Sequence, residues 1–179
     1  MSSDTARRLA HLLGLGPIRL FDSASQVRDH DLLVRAQAAE RLSQAATALR
    51  DVAARYRAER IPPATREQPY PPAERMAALH RLQERTQAAQ DLATKVRSAT
   101  LPAQDAVWDR LRSTSLRYDL MLEADLGLLE PCQRCAEATL ALDLDLGEAE
   151  AEGGLAAIDE ALRAAAQAFT ARGALLSAS

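Results

Sequence analysis

A heptad pattern in the first third of the chain constrains its fold more than any other feature. From residue 39, apolar residues recur in alternate steps of three and four, and we call this set the heptad seam: Ala39, Leu42, Ala46, Leu49, Ala53 and Tyr56. This spacing places the seam on one face of an α-helix, where it forms a contact surface for another helix. Alanine at every second position lets two helices pack closely. The seam is therefore predicted to be an interaction surface, with a homodimer as its most direct product.

Helical periodicity extends over most of the chain. Ser23 and Gln26 form a capping box, which predicts a helix over 23–60, and a second 3-4 stripe predicts one over about 73–99. A third apolar pattern begins at Val107 and continues past Leu129. An acidic loop, GEAEAEGG, is expected to follow it, and a last helix is predicted to run from about Leu155 to just before Gly173.

Composition agrees with helices rather than sheets. Aromatic residues make up 3 % of the chain, whereas β-strands prefer aromatic and β-branched residues. Five of the eight prolines lie in the stretch 61–72, which predicts an extended connector. The alternating stretch LALDLDLG has a strand-like period but no partner strand, so a helix end or irregular structure is expected there. We predict a single all-α domain over residues 1–179: an elongated antiparallel bundle, coiled-coil-like, of about four main helices and a short N-terminal one.

The distribution of charge is uneven, although the net charge is only -3. Residues 1–117 hold 19 Lys+Arg and 13 Asp+Glu, whereas residues 118–179 hold 3 and 12. Packing of the acidic part against the basic part explains this asymmetry most simply, because no long block of like charge occurs. The arginine-rich stretch 55–60 lies at a predicted helix end, where cations favour the helix dipole, so nucleic acid is not an expected partner.

Cys132 and Cys135 are the only cysteines, and they lie in the sequence PCQRC. Continuing the third apolar stripe by its own steps places both of them at core positions, although Asp125 interrupts that stripe. Two alternatives remain open. One is a redox pair, because Pro131 could begin a helix whose first turn lowers a thiol pKa. The other is a metal site completed by a second chain, since zinc needs four ligands.

Other patterns exclude several kinds of chemistry. The three histidines, His11, His30 and His80, lack the Glu-x-x-His spacing of a di-iron bundle, and each is expected to be solvated. The acidic stretch 143–154 departs from a calcium-binding loop at its sixth and twelfth positions. The chain contains no glycine-rich phosphate-binding motif. We therefore predict no cofactor and no metal ion.

The segment 4–14 is amphipathic. Leu9, Leu12 and Leu13 share one face of a helix, and Arg7, Arg8 and His11 are spread around its other sides. Such a segment packs on its own bundle, docks on a partner or lies on a membrane surface. No apolar run is long enough to span a bilayer, and no cleavage site of a signal peptide follows, so a cytoplasmic location is expected.

These patterns predict a protein without catalytic activity. The expected function is that of a helical interaction protein, either an adaptor or an assembly subunit, that binds protein partners. Two alternatives are a peripheral membrane-surface protein of the stress-response type, using the N-terminal segment, and a thiol redox or metal protein, using the two cysteines.

Overall fold

A computed structural model describes residues 3–100, 104–142 and 148–178, with the side chains of residues 4–100, 104–142 and 152–178. In these ranges the chain forms six α-helices and no strand: α1 (Ser3–Leu13), α2 (Ala24–Arg60), α3 (Ala73–Ser98), α4 (Gln104–Arg112), α5 (Tyr118–Leu140) and α6 (Glu148–Ser177). The predicted all-α fold is confirmed, with four long helices, the predicted short N-terminal helix and one further short helix, α4. The 37 residues of α2 correspond to a rod about 55 Å long.

The long helices form two antiparallel hairpins. In the first hairpin, Arg75 near the start of α3 donates to the carbonyl oxygen of Arg60 at the end of α2, and Arg35 donates to carbonyls at the other end of α3. In the second hairpin, Arg172 near the end of α6 pairs with Asp125 near the start of α5. The hairpins pack together mainly through α2 and α5, and α1 lies against α5.

Arginine side chains satisfy the carbonyl groups that helix ends leave unpaired. Arg35 Nη1 donates to the carbonyl oxygens of Arg97 and Ala99, at 3.3 and 3.0 Å. Arg110 Nη1 donates to those of Leu175 and Leu176, at 3.2 and 3.0 Å. A charged donor at the negative end of a helix both completes its hydrogen bonds and complements its dipole.

The start of α2 follows the predicted capping pattern. Ser23 Oγ accepts a hydrogen bond from the backbone N–H of Gln26, and the Gln26 side chain accepts one from the backbone N–H of Asp22. The Pro-rich connector 61–72 contains no helix, as predicted, because proline cannot supply the backbone N–H that a helix interior requires.

Two predicted boundaries need correction, and the structure excludes the alternative in which Pro131 begins a new helix. The third apolar pattern is two helices, because the chain leaves α4 and turns through Thr114, which has a left-handed φ of 64°. Pro131 does not divide α5, which continues from Tyr118 to Leu140. The expected loop GEAEAEGG is largely helical, since α6 begins at Glu148, and α6 also continues through Gly173 to Ser177. Most of LALDLDLG lies outside the described residues.

Candidate functional site

A cluster of five ionisable side chains lies inside the bundle where α2 and α5 begin and α6 ends. Asp125, which is 0 % exposed, occupies the centre of this buried ionic cluster. Its Oδ2 lies 2.7 Å from His30 Nε2, and its Oδ1 accepts a hydrogen bond from Arg172 Nε at 2.7 Å. One carboxylate therefore links α2, α5 and α6.

Asp31 and Arg35 extend the buried ionic cluster along α2 to the end of α3. Arg172 Nη2 lies 2.7 Å from Asp31 Oδ1, and Arg35 Nε donates to Asp31 Oδ2 at 3.1 Å. Arg35 then donates to the last carbonyls of α3, as described above. Two carboxylates and two guanidinium groups thus balance each other in charge, and the chain of contacts joins all four long helices.

Mutual electrostatics favour the charged forms of Asp125 and Arg172 despite their burial. Burial alone would raise the pKa of Asp125, but the charge of Arg172 and the contact with His30 hold the pKa below its ordinary value. Burial alone would lower the pKa of Arg172, but the charges of Asp125 and Asp31 raise it. The inner part of the cluster borders a cavity of about 10 Å³, roughly the room of one water molecule. His30 also lines an open surface concavity of about 630 Å³, formed by residues 15–22 and the start of α2.

The buried ionic cluster corrects one expectation. His30 was expected to be solvated, but it is 9 % exposed, pairs with Asp125 and packs against the ring of Phe21 at 5.0 Å between centroids. Arg35, which interrupts the heptad spacing one turn before Ala39, is buried as well. His11 and His80 are exposed, as predicted.

A signal for the cluster is present in the sequence. Asp125 and Arg35 are charged residues at positions where a heptad expects apolar ones, and they have opposite signs. Two residues of opposite charge at heptad positions that expect apolar residues can therefore be predicted to belong to one buried ionic network. Arg172 carries no such signal, because its position next to Gly173 was interpreted as a helix end rather than a helix interior.

The structure places Cys132 and Cys135 in the core, both 0 % exposed and both as free thiols. Burial raises the pKa of Cys132 to about 12 and that of Cys135 to about 11. Cys132 lies in the interior of α5, which begins at Tyr118, so no helix N-terminus lowers the pKa of its thiol. Within the described residues, no group of three or more His, Cys, Asp or Glu side chains is arranged to hold a metal ion.

We expect both cysteines to react slowly with a thiol reagent, because only the thiolate attacks and burial disfavours it. The measurement is the labelling rate of the native protein at pH 8 with Ellman's reagent, compared with the rate in denaturant. Thr47→Cys, at an exposed position of α2, supplies a matched control that should label at the rate of a free thiol. Labelling of Cys132 or Cys135 as fast as the control would contradict their burial.

The residues of the N-terminal segment lie against the chain's own bundle. Leu9 and Leu13 are buried in the core, and Leu12 is partly buried against it. Arg8 forms an ion pair with Glu130 on α5. The apolar face of α1 is therefore occupied in this structure. Among the described residues, no helix has the length and apolarity needed to cross a membrane.

The heptad seam lies inside the chain as well. Five of its six residues are buried in the core that α2 forms with its own neighbours, and Tyr56 is partly buried there. The apolar residues of α3 and α5 that share these core clusters include Leu79, Leu82 and Leu128. The partner helices of the seam thus belong to the same chain, and five of its six side chains are not accessible to another chain in this conformation.

A surface groove lies on the exposed side of α5, next to α1. It has a volume of about 770 Å³ and is formed by α1, α5 and Ala164 of α6. Its floor is built from small or apolar residues, among them Leu12, Gly127 and Pro131. Gly127 contributes to the depth, because no atom lies within 4 Å of the position a Cβ would take. Four basic side chains and one carboxylate, Glu130, line it. We call it the cationic groove after its basic residues: Arg7, Arg8, His11 and Arg134.

In the part of the chain that the structure describes, this fold and these two features define an all-α protein with a buried ionic cluster and a cationic groove. No protein-family model matches the chain, and no curated protein or solved structure is similar to it.

Proposed function

We propose that this chain is a non-catalytic helical interaction protein, an adaptor or an assembly subunit that binds other protein chains. The observation that carries the proposal is the cationic groove. It is an open concavity with an apolar floor, and it combines exposed apolar surface with charges that select a partner.

The reactive side chains of the molecule support the same conclusion. The buried ionic cluster pairs its carboxylates with guanidinium groups, and the cavity beside Asp31 and Arg172 has a volume of only about 10 Å³. The thiols of Cys132 and Cys135 are buried, and their pKa values are raised rather than lowered. General acid–base and nucleophilic catalysis need groups that contact a substrate, and these groups contact the interior of the bundle instead.

The test places a photo-crosslinking amino acid in the groove. Gly127 is the position of choice because it is exposed and a side chain there has free space. The same amino acid at Thr47, exposed on α2, is the control. On irradiation in the source cells, we expect a discrete protein adduct from position 127 and none from position 47. Absence of an adduct from position 127, or equal adducts from both positions, would contradict the proposal.

A further inference from the structure

We propose that the occupant of the cationic groove is a second copy of this chain, so that α5 and α6 of two copies pack face to face as an antiparallel, twofold-symmetric dimer. This inference rests on the proposed function and specifies its partner. The sequence predicted a dimer contact through the heptad seam, but that seam is internal. The proposed contact instead uses the exposed face of α5 and α6.

The groove continues beyond its deepest part. A second concavity of about 400 Å³ follows the boundary of α5 and α6 and shares Arg134 with the cationic groove. Its floor consists of alanines, among them Ala138, Ala157 and Ala161. Together the two concavities extend from Gly127 to Ala141, which corresponds to about 21 Å along α5. Small residues along this length allow the helices of another chain to approach closely.

The two ends of this face carry opposite charges. Arg7, Arg8 and His11 lie at the end near Gly127, where one carboxylate, Glu130, is already paired with Arg8. Glu137 and Glu160 lie at the other end. A twofold axis perpendicular to the face would bring the cationic end of each copy onto the acidic end of the other. A surface of this kind is complementary to itself.

This charge pattern favours a second copy over a partner helix of uniform charge. An acidic helix from an unrelated protein would be attracted to the arginines, but it would be repelled by Glu137 and Glu160 at the far end. A basic helix would be attracted to Glu137 and Glu160, but it would be repelled by the arginines at the other end. A second copy in antiparallel orientation satisfies both ends at once.

The register of the dimer follows from the helix spacing. An antiparallel pair of α5 helices centred on Arg134 places residue 137 of one copy opposite residue 131 of the other. Arg134 of each copy then lies within about one helical turn of Glu137 of the other. The same register places Ala141 opposite the open position at Gly127 of the second copy, so that small residues meet at both ends of the contact.

Charge inversion at the centre of the face tests the proposal. Arg134→Glu and Glu137→Arg each create like-charge contacts across the twofold axis, whereas the double variant restores opposite charges with their positions exchanged. The measurement is sedimentation equilibrium of the purified chain from about 5 to 200 µM, a range that suits a face at the small end of protein interfaces. Both residues are exposed, so circular dichroism should show the same helix content for all variants.

We expect the wild type to form dimers in this range, each single variant to raise the dissociation constant about tenfold or more, and the double variant to restore it within about threefold. Arg50→Glu, an inversion on the exposed face of α2, should leave it unchanged. A wild type that is monomeric throughout would overturn the proposal, as would single variants that dimerise normally or a double variant that is not restored.

The crosslink at Gly127 separates this inference from the proposed function. An adduct with the mass of two copies supports both. An adduct with a different protein leaves the interaction function standing and overturns the second copy as occupant. Absence of any adduct contradicts the function itself.

Discussion

Replacement of Asp125 by leucine is expected to lower the free energy of unfolding by about 3–5 kcal/mol. The carboxylate is fully buried and contacts both His30 and Arg172. Its removal leaves the guanidinium of Arg172 in the core with only Asp31 to balance it, while Arg35 also depends on Asp31. A buried charge without its partner costs far more than the pair contributes, because water no longer compensates it. Urea unfolding followed by circular dichroism measures the change.

Two further variants show that the pairing, and not the leucine, causes this loss. Asp125→Leu combined with Arg172→Met removes both charges and should recover a large part of the stability, since apolar residues can replace a buried pair at little cost. Asp91→Leu, at an exposed position of α3, should change the free energy of unfolding by less than about 0.5 kcal/mol. A loss below about 1 kcal/mol at Asp125, or a double variant no more stable than the single one, would contradict the role given to this network.

Leu42→Ala is expected to lower the free energy of unfolding by about 2–5 kcal/mol, because Leu42 is 0 % exposed in the core and its truncation leaves a cavity. Since the heptad seam packs within the chain, the resulting difference in Tm from the wild type should be the same at low and high protein concentration. Thermal unfolding at about 2 and 200 µM measures it.

Leu32→Ala is the matched control on the same helix. Leu32 is 50 % exposed, so the same truncation should cost less than about 0.5 kcal/mol. A difference in Tm for Leu42→Ala that becomes smaller as the concentration rises would show that the seam also packs between chains, and it would return the dimer contact to α2.

The buried face of α2 shows what heptad spacing predicts and what it leaves open. The spacing of Ala39, Leu42 and Ala46 identifies a buried face, because a 3-4 step keeps side chains on one side of a helix. It does not say which helix covers that face. The loop connections 61–72 and 113–117 bring the chain's own α3 and α5 to it, and this pairing depends on the whole chain.

Helix ends were harder to predict from the sequence than the buried faces of the helices. Ser23 marks the start of α2 because its hydroxyl satisfies a local backbone N–H. The ends of α3 and α6 depend instead on Arg35 and Arg110, which come from distant parts of the chain. Gly154 and Gly173 were interpreted as helix limits, but tertiary packing of α6 overrides the weak helix propensity of glycine.

The sequence by itself determined the helical class, the four long helices, the non-helical connector and the identity of most core positions, since each depends on local spacing and backbone chemistry. Only the tertiary structure decided that His30, Asp31, Asp125 and Arg172 form one network, because they lie on three different helices. The cationic groove, too, was decided only by the tertiary structure. It exists where α1, α5 and α6 come together, and no single segment contains enough of it to be recognised in the sequence.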